Sequence, residues 1–184
     1  MNRCRRGGVG PLTWRLNLGS GESRFPEFVN VDIYGGDIRA SAEHLPFREG
    51  SFDFIHASHV LEHVPDLDRV MRELHRVLSP DGVLQARVPY GLRSLYVPFH
   101  LHAFNLNTFD YFTNQPSGLQ GGPLFVLLQK RTSDWWLPFR WHLTRYFPRL
   151  FGIISAAEDD GKRHLRLPTG FRHELFVRLK KRGP

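Results

Sequence analysis

Residues 16–33, LNLGSGESRFPEFVNVDI, contain two short β-prone segments separated by a loop with two glycines. Gly19 and Gly21 allow a tight turn and let the backbone approach a ligand without a Cβ in the way. Asp32 ends the second segment, where a carboxylate can accept both hydroxyls of a ribose. The spacing from Gly21 to Asp32 is too long for a two-residue hairpin turn and short for a helical crossover. The stretch therefore indicates either a nucleotide site with a shortened crossover or a hairpin that contains Gly-Ser-Gly.

The rest of the chain alternates strand and helix patterns. Apolar and β-branched runs predict strands at 14–18, 28–33, 52–57 and 82–88, and later at 124–130 and 174–180. Residues 65–78 predict a helix, because apolar side chains recur there at intervals of three and four. Asp66 is expected in its first turn, and Ser79-Pro80-Asp81-Gly82 should end it. A second helix is expected to begin at Thr108 with Asn107 as its cap. This alternation predicts an α/β fold with a parallel sheet covered on both faces.

Composition limits the class of protein. The 184 residues suffice for one domain, and the sequence contains no apolar run long enough to cross a bilayer. Residues 1–13 are expected to be a flexible lead, basic and without the apolar stretch of a signal peptide. A single cysteine excludes an internal disulfide framework and a multi-cysteine metal site, which favours a reducing cytoplasm.

Four segments, taken in order, carry a resemblance: LNLGSG, VNVD, SAEHLPFREGSFDFIHASHVLEHV and HRVLSPDGVLQARVP. Together they resemble the class I S-adenosylmethionine (SAM)-dependent methyltransferases, in particular the small type 11 methyltransferase domain, over residues 15–112. The resemblance implies a Rossmann-like sheet, mostly parallel, with an antiparallel C-terminal strand and a shortened first crossover helix. It also implies SAM as cofactor. We expect residues 14–184 to form a single methyltransferase domain with an aromatic and basic insertion at 131–170.

The resemblance also implies which residues meet the cofactor. The loop of Gly19, Ser20 and Gly21 would lie against its methionine and ribose parts, and Asp32 would bind the ribose hydroxyls. Two positions depart from the family, since Asn17 and Ser41 are neutral where relatives usually carry an acid. The full expected set is Asn17, Gly19, Ser20, Gly21, Asp32, Ile33, Ser41, Ala42, Ser58 and His59.

Histidines provide the candidates for proton transfer. His100 and His102 follow the fourth long strand among aromatic residues, and His63 is a third candidate general base. Residues 59–63 match the H-x-x-E-H pattern of certain zinc enzymes, which requires a helix through both histidines. The preceding predicted strand and the LEHV of the methyltransferases argue against that interpretation. We expect no metal.

Two functions fit these observations. The first is transfer of a methyl group from SAM to an oxygen, or a nitrogen, of a small-molecule, sugar or lipid-linked acceptor. The alternative is a non-catalytic SAM-fold protein that acts as a membrane-surface or partner-binding module, which the neutral Asn17 and Ser41 would support.

The C-terminal third differs in charge from the rest. Residues 130–184 contain 13 Lys and Arg against 5 Asp and Glu, a net charge of +8, whereas residues 1–129 contain 12 against 13. The aromatic and arginine-rich stretch 135–151 could contact an anionic membrane, cover the substrate, or pack on the sheet. No recognised module supports nucleic-acid binding. We therefore expect a cytoplasmic protein, with peripheral attachment at the inner membrane face left open.

Overall fold

The computed structural model describes residues 14–113, 122–132 and 174–183. The lead 1–13, the stretch 135–151 and most of the insertion 131–170 lie outside these residues. The strands are β1 (Arg15–Leu18), β2 (Val29–Asp32), β3 (Ile38–Arg39), β4 (Phe52–Ser58), β5 (Leu78–Pro89), β6 (Phe125–Thr132) and β7 (Glu174–Lys181). The helices are α1 (Leu67–Val77), α2 (Asp110–Thr113) and the 3-10 helix Leu92–Tyr96.

The strands form one sheet in the order β3-β2-β1-β4-β5-β7-β6. The first five strands pair in parallel, and β7 pairs antiparallel with both β5 and β6. The predicted fold class is thus confirmed, including the antiparallel strand near the C-terminus. Within the described residues, no helix is both long enough and apolar enough to span a bilayer.

Helix α1 covers the sheet with one apolar face. Val70, Met71, Leu74 and Val77 are buried in the core. The Asp66 side chain caps the helix by accepting a hydrogen bond from the Arg69 N–H at 3.0 Å. The predicted bounds of this helix were one or two residues too wide at each end.

Three local predictions differ from the structure. The fourth long strand, β5, begins at Leu78 and includes the predicted turn, where Asp81 adopts a φ of 66°. Helix α2 begins at Asp110 and not at Thr108. Asn105 Oδ1 accepts the Asn107 N–H at 2.8 Å in the turn that precedes it. The two-residue strand β3 and the 3-10 helix were not predicted, since each is too short to show a period.

The connection from β1 to β2 contains no helix. Its ten residues, 19–28, contain no helix, so the shortened first crossover helix implied by the resemblance is absent. The parallel pairing of β1 with β2 nevertheless excludes the hairpin, whose strands would be antiparallel. The crossover must therefore satisfy its backbone groups by other means.

Asn30 in β2 provides those means. Its side chain is 3% exposed, and its Oδ1 accepts hydrogen bonds from the Phe25 N–H at 2.9 Å and the Asn17 amide at 3.0 Å. Its Nδ2 lies within 3.1 Å of the carbonyls of Phe25 and Phe28 and 2.8 Å from Asp37 Oδ2. One buried amide thus replaces the hydrogen bonds that a helix would make within itself.

Asn17 extends this network from the neighbouring strand. Its Nδ2 donates to the Ser23 carbonyl at 2.8 Å as well as to Asn30 Oδ1. Both partners are acceptors, so the position needs a donor, and a carboxylate has none at neutral pH. Asparagine at position 17 supplies both donors, which the acid expected from the resemblance would not.

We predict that Asn17→Asp, which restores the usual acid, destabilises the protein. The carboxylate would face two acceptors in a buried site, which should lower the free energy of unfolding by about 1–3 kcal/mol. Chemical denaturation measures this change. Asn105→Asp is the matched control, because the exposed Asn105 uses its oxygen as an acceptor, a function that aspartate keeps. Equal stability of the two variants would contradict the role given to Asn17.

Candidate functional site

The predicted cofactor residues gather at the carboxyl edge of the parallel strands. Gly19 follows β1, Asp32 ends β2, and Ser58 ends β4 directly before His59. Because these three strands are adjacent and parallel, their ends open on the same side of the sheet. This is where open α/β sheets bind their ligands.

The two glycines of the loop have different surroundings. At Gly19, with φ 63°, a Cβ would lie 2.6 Å from the Val60 side chain, so packing excludes any larger residue. At Gly21, with φ 48°, a Cβ would meet no atom within 4 Å. Between them, the Ser20 hydroxyl is buried and has no hydrogen-bond partner among the described residues. The loop thus offers a polar atom and open space beside Gly21.

Asp32 is held in place by two backbone N–H groups. Its Oδ2 accepts from Gly21 at 3.0 Å and its Oδ1 from Tyr34 at 2.8 Å. Each carboxylate oxygen retains a second lone pair for another donor. The half-buried carboxylate therefore lies directly against the glycine loop.

The segment with Ser41 and Ala42 is fastened beside Asp32, since the Ala40 N–H donates to the Asp32 carbonyl at 3.1 Å. Ala42 is buried. Ser41 is exposed, and its hydroxyl oxygen accepts the Glu43 N–H at 3.3 Å, while Ile33 is half exposed at the end of β2.

Helix α1 anchors the other end of this segment through Glu73 and Arg76. The Leu45 N–H donates to Glu73 Oε1 at 2.7 Å, and the Arg76 guanidinium donates to both Glu73 oxygens and to the Phe47 carbonyl. The hydrogen bond from Arg76 is the main reason that the pKa of Glu73 is lowered, with the Leu45 N–H adding to it against burial. A charged clamp thus fixes the segment that follows β3.

His59 has an unusual backbone and two carboxylate neighbours. Its φ is 54°, a conformation rare for a residue with a Cβ. Its Nδ1 lies 3.1 Å from Glu62 Oε1, and its Nε2 lies 3.0 Å from Glu174 Oε1. The hydrogen bond with Glu62 raises the pKa of His59, burial opposes this, and Glu174 raises it further. The site favours the imidazolium form.

Sequence reasoning missed Glu174. This residue begins β7 and is 115 positions from His59 in the chain. The antiparallel pairing of β7 with β5 brings Glu174 opposite Pro89 and so to the same edge of the sheet. The strand was predicted, but the register of its pairing with β5, which places Glu174 at this edge, was not.

The three candidate bases do not share one environment. His102 Nε2 donates to the Val64 carbonyl at 2.7 Å and so connects two loops. His63 and His100 instead lie ring against ring, with centroids 4.8 Å apart. Residues 59–66 contain no helix, so H-x-x-E-H does not have the geometry that the zinc motif requires.

Comparisons with known proteins show what the chain is similar to. A family profile described as "Methyltransferase domain" matches residues 16–86. Mouse mitochondrial arginine-hydroxylase NDUFAF5 is 40% identical over 68 residues, which are 37% of this chain and 20% of that protein. Demethylmenaquinone methyltransferase of Lactobacillus johnsonii is 46% identical over 44 residues, 24% of this chain and 18% of that protein. The chain spans about a fifth of the length of these curated relatives.

A solved structure extends the likeness over most of the chain. The SAM-dependent methyltransferase of Methanosarcina mazei aligns with a TM-score of 0.57, covering 91% of this chain and 92% of that one at 16% identity. Such low identity shows the fold alone, while the match over residues 16–86 includes the glycine loop, Asp32 and the H-x-x-E-H stretch. The chain has the class I SAM-dependent methyltransferase fold, and its residues 16–86 are similar to the methyltransferase domain family.

Proposed function

We propose that the chain is a SAM-dependent methyltransferase that binds its cofactor at the carboxyl ends of β1, β2 and β4. One observation carries the proposal: the Asp32 carboxylate is held against the Gly21 N–H, beside the open space at that glycine. The family and the fold imply SAM as the cofactor. The acceptor and the contacts below are our inferences.

The residues present fit SAM at three points. Asp32 offers lone pairs to ribose hydroxyls, and the unpartnered Ser20 hydroxyl lies in the loop that would border the cofactor. The space beside Gly21 allows close approach of a ligand to the backbone. Ser41 and Ala42 would meet the adenine, with Ile33 nearby, and Ser58 and His59 would meet the methionine part.

SAM supplies a methyl group on a sulfonium, ready for in-line displacement. The protein then has to align the acceptor, exclude water and, where needed, hold a proton. Both ring nitrogens of His59 are held by the carboxylates of Glu62 and Glu174, so in our proposal it orients groups and does not act as a base. Among the candidate bases, His63 and His102 each have one ring nitrogen on a backbone carbonyl, whereas His100 Nδ1 has no partner among the described residues.

The acceptor proposed is an oxygen, or a nitrogen, of a small molecule, a sugar or a lipid-linked compound. Exposed apolar side chains support an acceptor with apolar parts. Along the loop after β5 these are Leu92, Leu95, Tyr96, Val97, Phe99 and Leu101. A mostly apolar border with few polar groups is typical of small-molecule sites.

Loss of the Asp32 carboxylate should weaken cofactor binding. Titration calorimetry with S-adenosylhomocysteine is expected to show saturable binding to the wild type and binding weaker by about tenfold or more for Asp32→Ala. Asp53→Ala is the control, because Asp53 accepts from the Ser79 hydroxyl at the opposite edge of the sheet. No binding by the folded wild type at millimolar ligand would refute the proposed activity.

A methyl group at Gly21 should enter the space proposed for the cofactor. Gly21→Ala is expected to cost about 1 kcal/mol of stability from its positive φ. It should also weaken S-adenosylhomocysteine binding by about tenfold. Gly122→Ala matches it, since Gly122 also has a positive φ (75°) and open space at its Cβ, but lies just before β6. Unchanged affinity of Gly21→Ala would remove the loop from the cofactor site.

A non-catalytic role is the second candidate. The Asn17 amide is committed to Ser23 and Asn30, and the Ser41 hydroxyl accepts from Glu43, so neither replaces the charge of the usual acid. One relative of this domain is named as an arginine-hydroxylase, so the domain is not confined to proteins named as methyltransferases. S-adenosylhomocysteine binding without methyl transfer to any tested acceptor would favour this role.

The basic C-terminal third is proposed to contact anionic membrane surfaces through residues 135–151. Its charge supports this, because cationic and aromatic side chains together suit the bilayer interface. The protein should co-sediment with vesicles containing phosphatidylserine more than with neutral vesicles, and added salt should reduce the difference. Replacing Arg140, Arg145 and Arg149 by Gln should abolish it. Equal sedimentation with both kinds of vesicle would exclude the electrostatic contact.

A further inference from the structure

Three potential metal ligands meet where the loops after β4 and β5 touch. They are Glu62, His63 and His100, and one ligand atom from each lies within 4.8 Å of the others. The first two follow β4 directly, and His100 comes from the loop after the 3-10 helix. No property of the methyltransferase fold described above requires them to converge.

Glu62 is a buried carboxylate with one unused oxygen. The residue is 0% exposed, and its Oε1 pairs with His59 Nδ1. Its Oε2 is buried and has no hydrogen-bond partner among residues 14–113, 122–132 and 174–183. A buried anionic oxygen without a donor is costly, and a bound cation removes that cost.

The two histidines are arranged as metal ligands usually are. His63 Nδ1 lies 3.1 Å from the Phe99 carbonyl, and because a carbonyl only accepts, Nδ1 carries the proton. The lone pair is then on Nε2, and the carbonyl fixes the ring as a partner behind a metal ligand does. His100 Nδ1 is buried and, like Glu62 Oε2, has no partner in the described part of the chain.

The backbone fixes this convergence. The Glu62 carbonyl accepts the N–H groups of Leu101 at 2.7 Å and His102 at 3.3 Å, so the segment after His100 is fastened to the loop after β4. Phe99 adopts a φ of 71°, which is strained for a residue with a Cβ. Such strain persists where the surroundings impose it, as at ligand sites.

We propose that Glu62, His63 and His100 bind a divalent transition-metal ion, with Zn²⁺ as its representative. One carboxylate and two imidazoles suit zinc and its neighbours, whereas Mg²⁺ prefers oxygen ligands. Bonds of about 2.1 Å require ligand atoms about 3.4 Å apart in a tetrahedral site, so the side chains close slightly around the ion. Three protein ligands leave the fourth position open to solvent or substrate.

This set differs from the H-x-x-E-H pair read from the sequence. His59 cannot be a ligand in this arrangement, because both of its ring nitrogens face carboxylates. His100, which no local motif includes, takes its place. The proposal replaces the expectation of no metal, and a histidine whose lone pair binds a metal cannot accept a proton with it, so it also excludes His63 and His100 as bases. Because metal binding is measured without SAM, its failure is distinguishable from a failure of methyl transfer.

The test uses the full chain after removal of metal with a chelator. Equilibrium dialysis against Zn²⁺ should show one ion per chain with a micromolar or lower dissociation constant. Co²⁺ should give visible d–d absorption that Zn²⁺ removes. His63→Gln and His100→Gln should each weaken Zn²⁺ binding at least tenfold. His102→Gln is the matched control, because it lies in the same segment and glutamine can still donate to Val64; its affinity should equal that of the wild type.

Two results would overturn the proposal. One is the absence of saturable Zn²⁺ and Co²⁺ binding to the folded wild type. The other is binding that neither His63→Gln nor His100→Gln weakens, which would locate the ion elsewhere on the chain. If a variant fails to fold, ring ¹⁵N spectra of the wild type decide the matter, since Zn²⁺ must shift the ring nitrogens of two histidines more than those of the other eight.

Discussion

The hydrogen bonds of Asn30 support the part of the molecule on which the cofactor site depends. Without a helix after β1, the crossover has few ways to satisfy its backbone groups, and a single buried amide serves several of them. The Gly19–Gly21 loop and Asp32 are the two ends of that crossover. The position of the glycine loop relative to the carboxylate therefore rests on a polar network rather than on helix packing.

This network resolves an apparent defect of the sequence. From the resemblance alone, Asn17 would be a weakened cofactor residue. In the structure, its side-chain amide is the donor that the Ser23 carbonyl and Asn30 Oδ1 require. Gly36 belongs to the same arrangement, because a Cβ there would lie 2.6 Å from the Asn30 carbonyl. The helix-free crossover and the donor at position 17 depend on the same hydrogen-bond network.

Local pattern and family resemblance together predicted the sheet, helix α1 and the convergence of Gly19, Asp32 and His59. These features depend on apolar periodicity and on the rule that parallel strands end at a common edge. The pairing of His59 with Glu174 and the approach of His100 to Glu62 could not be predicted in the same way. Both join residues far apart in sequence, and each depends on the register or course of a segment without a local signature.

The position of β7 has a consequence for synthesis of the chain. Although it is the last strand in sequence, it lies between β5 and β6, and in the described residues β6 pairs with β7 alone. While the chain emerges from the ribosome, β6 therefore remains without a partner, and the edge of β5 stays open, until residues 174–181 are available. Exposed strand edges are where nascent chains associate wrongly. Pairing of β7 thus closes the edge of β5 and gives β6 its partner among the described strands.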